Sequence, residues 1–209
     1  MRLCKGLTAL FVGGGIFAAT LVCPSSAQTF RVTDDWVTLR PPGWGFHILM
    51  PPDWRQNPPR SPNAKLSFIA KQPAPSGRPG VTNCRVEVLA IPDTPDFTQA
   101  AIDEIFKAPA PPEVAQGIAS VFQAPSIREN RLVRVSNHPA WFISYSGSYE
   151  SLNAKVYGAG AMVELMYRRQ TYVVFCGAFD TTPERGEAAW NAWQPIIMLI
   201  LGTFTIEAS

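Results

Sequence analysis

Apolar and polar side chains alternate along several short stretches of the chain, which is the pattern of β-strands with one buried face. The segment 84–91 shows it clearly, because Val86 and Val88 fall on one face while Arg85 and Glu87 fall on the other. The alternation predicts a strand there, buried on the valine side. Further short strands are predicted at 33–39, 45–50, 66–71 and at Phe204 with Ile206.

The second half of the chain carries two predicted hairpins. The first joins 131–136 to 140–148 through a turn at 137–139, and the second joins 155–168 to 171–179 through a turn near Arg169 and Gln170. Consecutive hairpins are typical of an antiparallel sheet.

Three helices are predicted from their start signals. Asp96 is expected to cap the first, Pro112 suits the first turn of the second, and Thr182 is expected to cap the third with Pro183 at its first position. Pro195 lies inside the third pattern and is expected to kink or break that helix. The elements together predict an α+β fold, an antiparallel sheet flanked by helices in an α/β/α sandwich.

Residues 1–27 are typical of a secretory signal peptide. Two basic residues near the start precede an uncharged apolar run at 7–22, and small residues then lead to Ala27. We expect cleavage between Ala27 and Gln28, which leaves a single α+β domain over 28–209. The alternative is that 7–22 stays in place as a membrane anchor, although it is shorter than the roughly 20 apolar residues that a spanning helix needs.

The charge balance follows from that division. The chain has 18 Lys and Arg against 16 Asp and Glu, and both of the excess basic residues lie in 1–27. The segment 28–209 is formally neutral, which argues against nucleic acid as a partner because such binders carry a clustered positive surface. We expect a periplasmic or secreted protein without stable membrane insertion after cleavage.

Two of the four cysteines, Cys84 and Cys176, remain after cleavage. In an oxidising compartment an even pair is most simply a disulfide, and we predict that these two are joined. Two free buried thiols or one reactive thiol are the alternatives. No CxxC or HxxxH spacing occurs, so we predict no metal site and no cofactor.

Several motifs occur in a familiar order. The segment 45–54 runs Gly-Phe-His-Ile-Leu-Met-Pro-Pro-Asp-Trp, a two-helix middle follows, Asn-His-Pro-Ala-Trp stands at 137–141, and a terminal helix runs into Leu-Gly-Thr-Phe-Thr-Ile at 201–206. This order resembles the PsbP/Mog1-like superfamily, and the chain looks like an exported bacterial member. The resemblance implies an antiparallel sheet flanked by helices, with Trp54, Phe204 and Ile206 in the core. It implies accessory or binding functions and no shared catalytic residues.

Candidate chemistry is sparse. The two histidines, His47 and His138, are the only candidates for a general base, and no GxSxG nucleophile motif accompanies them. Trp36, Trp44 and Trp54 lie in or beside proline-rich segments and form a possible ligand surface, with core packing as the alternative.

The sequence therefore predicts an exported, non-enzymatic accessory or binding protein of the bacterial envelope, stabilised by one disulfide. Its expected partner is a protein or a small apolar or peptide ligand. Two alternatives stay open. One is a small periplasmic hydrolase that uses His47 or His138, and the other is a structural envelope protein tethered through 7–22.

Overall fold

The computed structural model describes residues 30–71, 78–91, 98–120, 122–151 and 154–207. Ala27, Gln28 and Asp96 lie outside these ranges. The elements in chain order are β1 (Val37–Leu39), β2 (Phe46–Met50), β3 (Trp54–Gln56), β4 (Ala64–Ala70), β5 (Val81–Ala90), α1 (Gln99–Ile105), α2 (Pro112–Ala119), β6 (Gln123–Val135), β7 (His138–Ser151), β8 (Ala154–Tyr167), β9 (Gln170–Asp180), α3 (Pro183–Gly202) and β10 (Thr205–Ile206).

Two antiparallel sheets form the frame. The larger has seven strands in the order β3-β4-β5-β9-β8-β7-β6, and the smaller has three in the order β1-β2-β10. Helix α3 packs across β8 and β9, whereas α1 contacts β8 and α2 contacts β6. The predicted α+β class, with helices flanking an antiparallel sheet, is confirmed.

The faces of the large sheet carry different side chains because strand residues alternate in direction. We call the face with Val86, Val174 and Cys176 the closed face, and it packs against α3 and the small sheet. We call the face with Arg85, Phe175 and Phe179 the open face. Helices α1 and α2 pack on the open face through a second cluster that includes Ile102, Phe106 and Ala115.

Both long hairpins turn through two residues with positive φ. Ser136 and Asn137 have φ of 47° and 70°, and Arg168 and Arg169 have φ of 47° and 61°. Such pairs match the right-handed twist of the flanking strands. Each turn lies one residue earlier than predicted, so His138 begins β7 instead of lying in the turn.

The helix predictions hold in part. Thr182 caps α3 by accepting a hydrogen bond from the Arg185 amide, and Pro112 begins α2, as predicted. Helix α1 begins at Gln99 with Thr98 as its cap. Of the predicted kink or break at Pro195, the break is wrong, because α3 continues through this residue to Gly202. Pro195 lies on the exposed side, and burial of residues before and after it outweighs the local penalty.

Candidate functional site

The disulfide lies on the closed face of the sheet. Cys84 and Cys176 stand directly opposite each other in the β5–β9 register, with their Cα atoms 4.1 Å apart, and the bond joins them. Both are at most 1% exposed. The predicted pair is confirmed, and burial inside an apolar core gives it a structural role. It ties together two central strands that also form the floor of the cleft described next.

A cleft of about 860 Å³ lies on the open face, beside the part that α1 and α2 cover. Its floor comes from β4, β5 and β9. One wall is aromatic, from Phe122 and Tyr149, and the other is the segment between β3 and β4 that carries Asn57 and Arg60. Arg185 at the start of α3 closes one end. Residues from several strands and loops therefore line the cleft, together with α3, whose packing is otherwise on the closed face.

The alternation predicted for 84–91 positions the polar part of the floor. Val86 and Val88 are buried on the closed face, so the intervening Arg85 and Glu87 must project from the open face. Both line the cleft. The neighbouring strand β4 has the same arrangement, since Phe68 is buried behind the sheet while Ser67 and Ile69 line the cleft.

Glycines make room for the aromatic part of the floor. A Cβ atom at Gly160 would lie 2.5 Å from the Phe175 ring, and one at Gly177 would lie 2.4 Å from the Phe179 ring. A Cβ at Gly158 would lie 2.6 Å from Phe179 and 2.1 Å from the Ala178 carbonyl oxygen. The two rings therefore lie directly over glycine backbone, which is the close approach that glycine inside a strand permits.

The aromatic wall continues from this floor. The Tyr149 ring stands edge-on to Phe179, with centroids 5.1 Å apart, and edge-on to Phe122 at 5.6 Å. Burial raises the pKa of Tyr149, with the nearby Arg85 charge opposing that shift. The phenol therefore keeps its proton at neutral pH and is available as a hydrogen-bond donor.

Three arginines and two carboxylates line the cleft. The Arg85 Nε lies 3.0 Å from Glu87 Oε1, and the guanidinium stacks 4.9 Å from the Phe175 centroid. The Arg185 Nε lies 3.2 Å from Asp180 Oδ1. Each carboxylate thus already faces an arginine. Among the residues that the structure describes, no carboxylate lies within ion-pair distance of Arg60.

The predicted tryptophan surface is not the cleft. Trp54 is 2% exposed and packs edge-on against Trp193 at 5.8 Å, so its assignment to a ligand surface is wrong and its predicted place in the core is confirmed. Trp36 and Trp44 are half-buried against the closed-face core, and Lys65 stacks on Trp44. Phe204 and Ile206 are buried, as the resemblance implied.

The two histidines lie apart from the cleft lining. His47 Nδ1 is 3.0 Å from Glu207 Oε1, and Arg40 Nε is 2.6 Å from the same oxygen. The His138 ring stacks on Tyr167 at 4.3 Å. Within the described ranges, neither histidine hydrogen-bonds to a serine, and no three potential ligands among histidine, cysteine, aspartate and glutamate gather as a metal site would require.

Sequence reasoning assigned Arg85 and Glu87 to one strand face but missed Phe175, Phe179 and Tyr149 as site residues. The sequence did carry one signal for these residues. Gly158, Gly160 and Gly177 lie inside strand-like segments, and glycine inside a strand indicates that another group approaches the backbone closely. No local pattern indicates which group approaches.

The described part of the chain has no helix long and apolar enough to cross a membrane. The apolar run 7–22, on which the tethered alternative depends, lies outside the described ranges.

The chain matches no family model and no curated protein sequence. Several solved structures are similar to it at low identity. LpqN of Mycobacterium tuberculosis, described as involved in cell envelope biogenesis, is 16% identical with a TM-score of 0.47, covering 83% of this chain and 91% of its own. The Ran-binding protein Mog1p of Saccharomyces cerevisiae is 9% identical with a TM-score of 0.49, covering 82% and 95%.

A third similar structure is the cyanobacterial PsbP (CyanoP) of Synechocystis, which is 12% identical with a TM-score of 0.48 and covers 88% of this chain and 99% of its own. At these identities the similarity concerns the fold alone and carries nothing about function.

Proposed function

We propose that the chain is an exported, non-enzymatic binding or accessory protein of the bacterial envelope that holds a small, largely apolar ligand in the open-face cleft. The observation that carries the proposal is the cleft itself. It is about 860 Å³ in volume, its wall carries Phe122 and Tyr149, its floor carries Phe175 and Phe179, and polar side chains stand between and around these rings. Small-molecule sites are usually concave, with apolar and aromatic lining and polar groups that fix the orientation of the ligand.

Export is supported by two independent features. The segment 1–27 is typical of a signal peptide, and the Cys84–Cys176 disulfide is of the kind that persists in oxidising compartments. We expect the exported protein to begin at Gln28. Mass spectrometry of intact protein from the cell envelope tests this, and a mass that retains 1–27 would favour the tethered alternative instead.

The non-enzymatic part rests on the chemistry of the lining residues. A hydrolase needs a nucleophile with an adjacent base, and neither His47 nor His138 lies among the residues that line the cleft. Tyr149 keeps its proton, and the two carboxylates face arginines. These groups are suited to hold and orient a ligand.

Binding of a neutral fluorescent probe, N-phenylnaphthylamine, tests the use of the cleft. Its emission rises in an apolar site, and we expect saturable binding to wild type. Ile69→Trp places a large ring in the cleft and should abolish the signal. The control, Val37→Trp, puts the same ring on the exposed β1 strand and should bind like wild type. Equal binding by both variants would reject the cleft as the binding site.

A further inference from the structure

We propose that the cleft selects an anionic amphiphile, with an alkyl tail over the aromatic floor and a carboxylate or phosphate head group beside Arg60 and Arg85. This inference rests on the proposed function and names the ligand class of the same site. It follows from three features of the cleft: its charge pattern, the end at which Arg60 stands, and the pairing of the strand backbones in its floor.

The first feature is that the positive charges exceed the negative ones. Glu87 pairs with Arg85, whose Nε lies 3.0 Å from Glu87 Oε1, so one carboxylate offsets one guanidinium at this end of the cleft. Arg60 is exposed and, within the described residues, has no ion-pair partner. An incoming anion therefore meets the guanidinium of Arg60, whereas each carboxylate of the cleft faces an arginine. The Asp180 Oδ2 atom, which has no hydrogen-bond partner among the described residues, is buried at the opposite end. Planar guanidinium groups suit carboxylate and phosphate oxygens particularly well.

The second feature places the head group at one end of the cleft. In the β4–β5 register Ala64 pairs with Glu87, and the Val88 amide donates to the Asn63 carbonyl. The segment that carries Arg60 immediately precedes these residues, so it borders the end at which Arg85 and Glu87 stand. At the other end Arg185 is paired with Asp180. The head group therefore belongs at the Arg60–Arg85 end.

The tail then follows the strands. From Glu87 back to Val81 the floor extends over six residue steps, or roughly 20 Å at the rise of a strand. The side chains on this path include Ile69, Phe179 and the exposed Val81. Burying an alkyl chain against them removes apolar surface from water on both partners.

The third feature distinguishes an alkyl tail from an extended peptide. The backbones of β4, β5 and β9 pair with one another through the floor. A peptide laid over them would bring amide and carbonyl groups that find no backbone partner, and unpaired polar groups are costly to bury. An alkyl chain has no such groups. The only hydrogen bonds that the amphiphile needs are those of its head, near Arg60, Arg85 and the cleft's polar side chains.

Isothermal titration with a series of ten-carbon ligands below their micelle concentrations tests the proposal. We expect decyl phosphate and decanoate to bind at least roughly tenfold more tightly than decanol, and decyltrimethylammonium more weakly than decanol. Inorganic phosphate alone should not bind measurably, because it lacks the tail. A head-group preference that falls as salt is added would agree with a charged contact.

Arginine variants locate the head group. Arg85→Gln and Arg60→Gln should each weaken decyl phosphate binding by roughly tenfold and leave decanol binding unchanged. Arg131→Gln is the matched control, because Arg131 also is 44% exposed, pairs with the glutamate two positions away and stacks on a phenylalanine, but lies outside the cleft lining. It should bind like wild type. Arg60 is an exposed loop residue, so its variant keeps the test valid if Arg85→Gln fails to fold.

Different results would overturn different statements. If decanol binds as tightly as decyl phosphate and Arg85→Gln changes neither, the anionic selectivity is wrong while the cleft remains a binding site. If an uncharged peptide of apolar residues binds more tightly than decyl phosphate, the amphiphile assignment is wrong. If the neutral probe fails to distinguish Ile69→Trp from Val37→Trp, the proposed function fails first.

Discussion

The two faces of the seven-stranded sheet are built by the same strands and are covered very differently. The closed face meets α3, a helix of 20 residues, together with the small sheet. The open face meets α1 and α2, which have 7 and 8 residues and pack toward β8 and β6. Among the described residues, the short helices leave the β4, β5 and β9 side of the open face uncovered, and the cleft lies there.

The two faces also differ in the kinds of side chain that they carry. The closed face contains aliphatic residues, tryptophans and the disulfide, whereas the uncovered part of the open face contains Phe175, Phe179 and arginines. Alternation along a strand thus gives one chain two surfaces that respond separately to substitution. Changes on the closed face should act on stability, and changes on the open face should act on ligand binding.

The largest effect should come from the closed face. Trp193 is fully buried, and its Nε1 donates to the Pro79 carbonyl at 2.8 Å. Trp193→Ala should lower the free energy of unfolding by about 3–5 kcal/mol, measured by urea denaturation. Trp36→Ala, at a half-buried position, should cost much less. Equal costs would show that α3 does not anchor the closed face as its packing indicates.

The disulfide should have the next largest effect. The disulfide closes a loop between residues 92 positions apart and so restricts the unfolded chain. Replacing both Cys84 and Cys176 with alanine removes that restriction and should lower the free energy of unfolding by about 2–5 kcal/mol. Probe affinity of the folded fraction should stay near that of wild type, because the bond lies on the opposite face. A large loss of affinity with intact folding would mean that the two faces are coupled through β5 and β9.

A matched pair of glycine substitutions compares the floor with an open position. Gly160→Ala places a Cβ 2.5 Å from the Phe175 ring, which should destabilise the protein by about 1–3 kcal/mol and weaken probe binding. Gly117→Ala in α2 meets nothing within 4 Å and should stabilise by up to about 1 kcal/mol. Thermal melts and probe titrations measure both variants. If Gly160→Ala stabilises the protein as Gly117→Ala does, the close contact between Gly160 and the Phe175 ring is wrong.

The smallest expected effect is a pH dependence of stability, caused by a carboxyl on the part of the open face that α1 and α2 cover. Glu164 lies on β8 opposite Trp141, and burial raises its pKa. The folded protein then holds this proton more tightly than the unfolded chain, so the carboxyl costs nothing below its unfolded pKa and destabilises as pH rises through the folded one. Glu164→Gln should raise the melting temperature at neutral pH and lose that advantage in acid.

The exposed Glu104 supplies the control for that profile, since Glu104→Gln changes the same group in solvent. Its melting temperature should follow wild type across the pH range. A Glu164→Gln advantage that persists below the unfolded pKa would point to packing instead of charge as its cause.

Much of the frame was predictable from local pattern. The alternation at 84–91, the two long hairpins and the cap at Thr182 each depend on a few neighbouring residues, and each is present. The Cys84–Cys176 pair was predictable because only two cysteines follow the signal-like segment. Strand β3 was missed, since its three residues follow two prolines and form a strand only by pairing with β4.

The errors share a long-range cause. Pro195 does not break α3, because burial on both sides of it outweighs its local cost. The residues around Trp54 suggested an exposed ring, but Trp54 is buried against Trp193, which is far away along the chain. The aromatic site was missed for the same reason, because Phe122, Tyr149 and Phe179 meet only when three separate elements pack together.

The sequence by itself determined which side chains share a face, because the direction of successive side chains along a strand is a property of the backbone. It also indicated Cys84 and Cys176 as the disulfide partners, given the expected cleavage after Ala27. Only the tertiary structure decided which face is sealed and which is open. That outcome depends on the lengths and packing of α1, α2 and α3 over strands distant in sequence, so no local pattern around Arg85 or Phe175 could contain it.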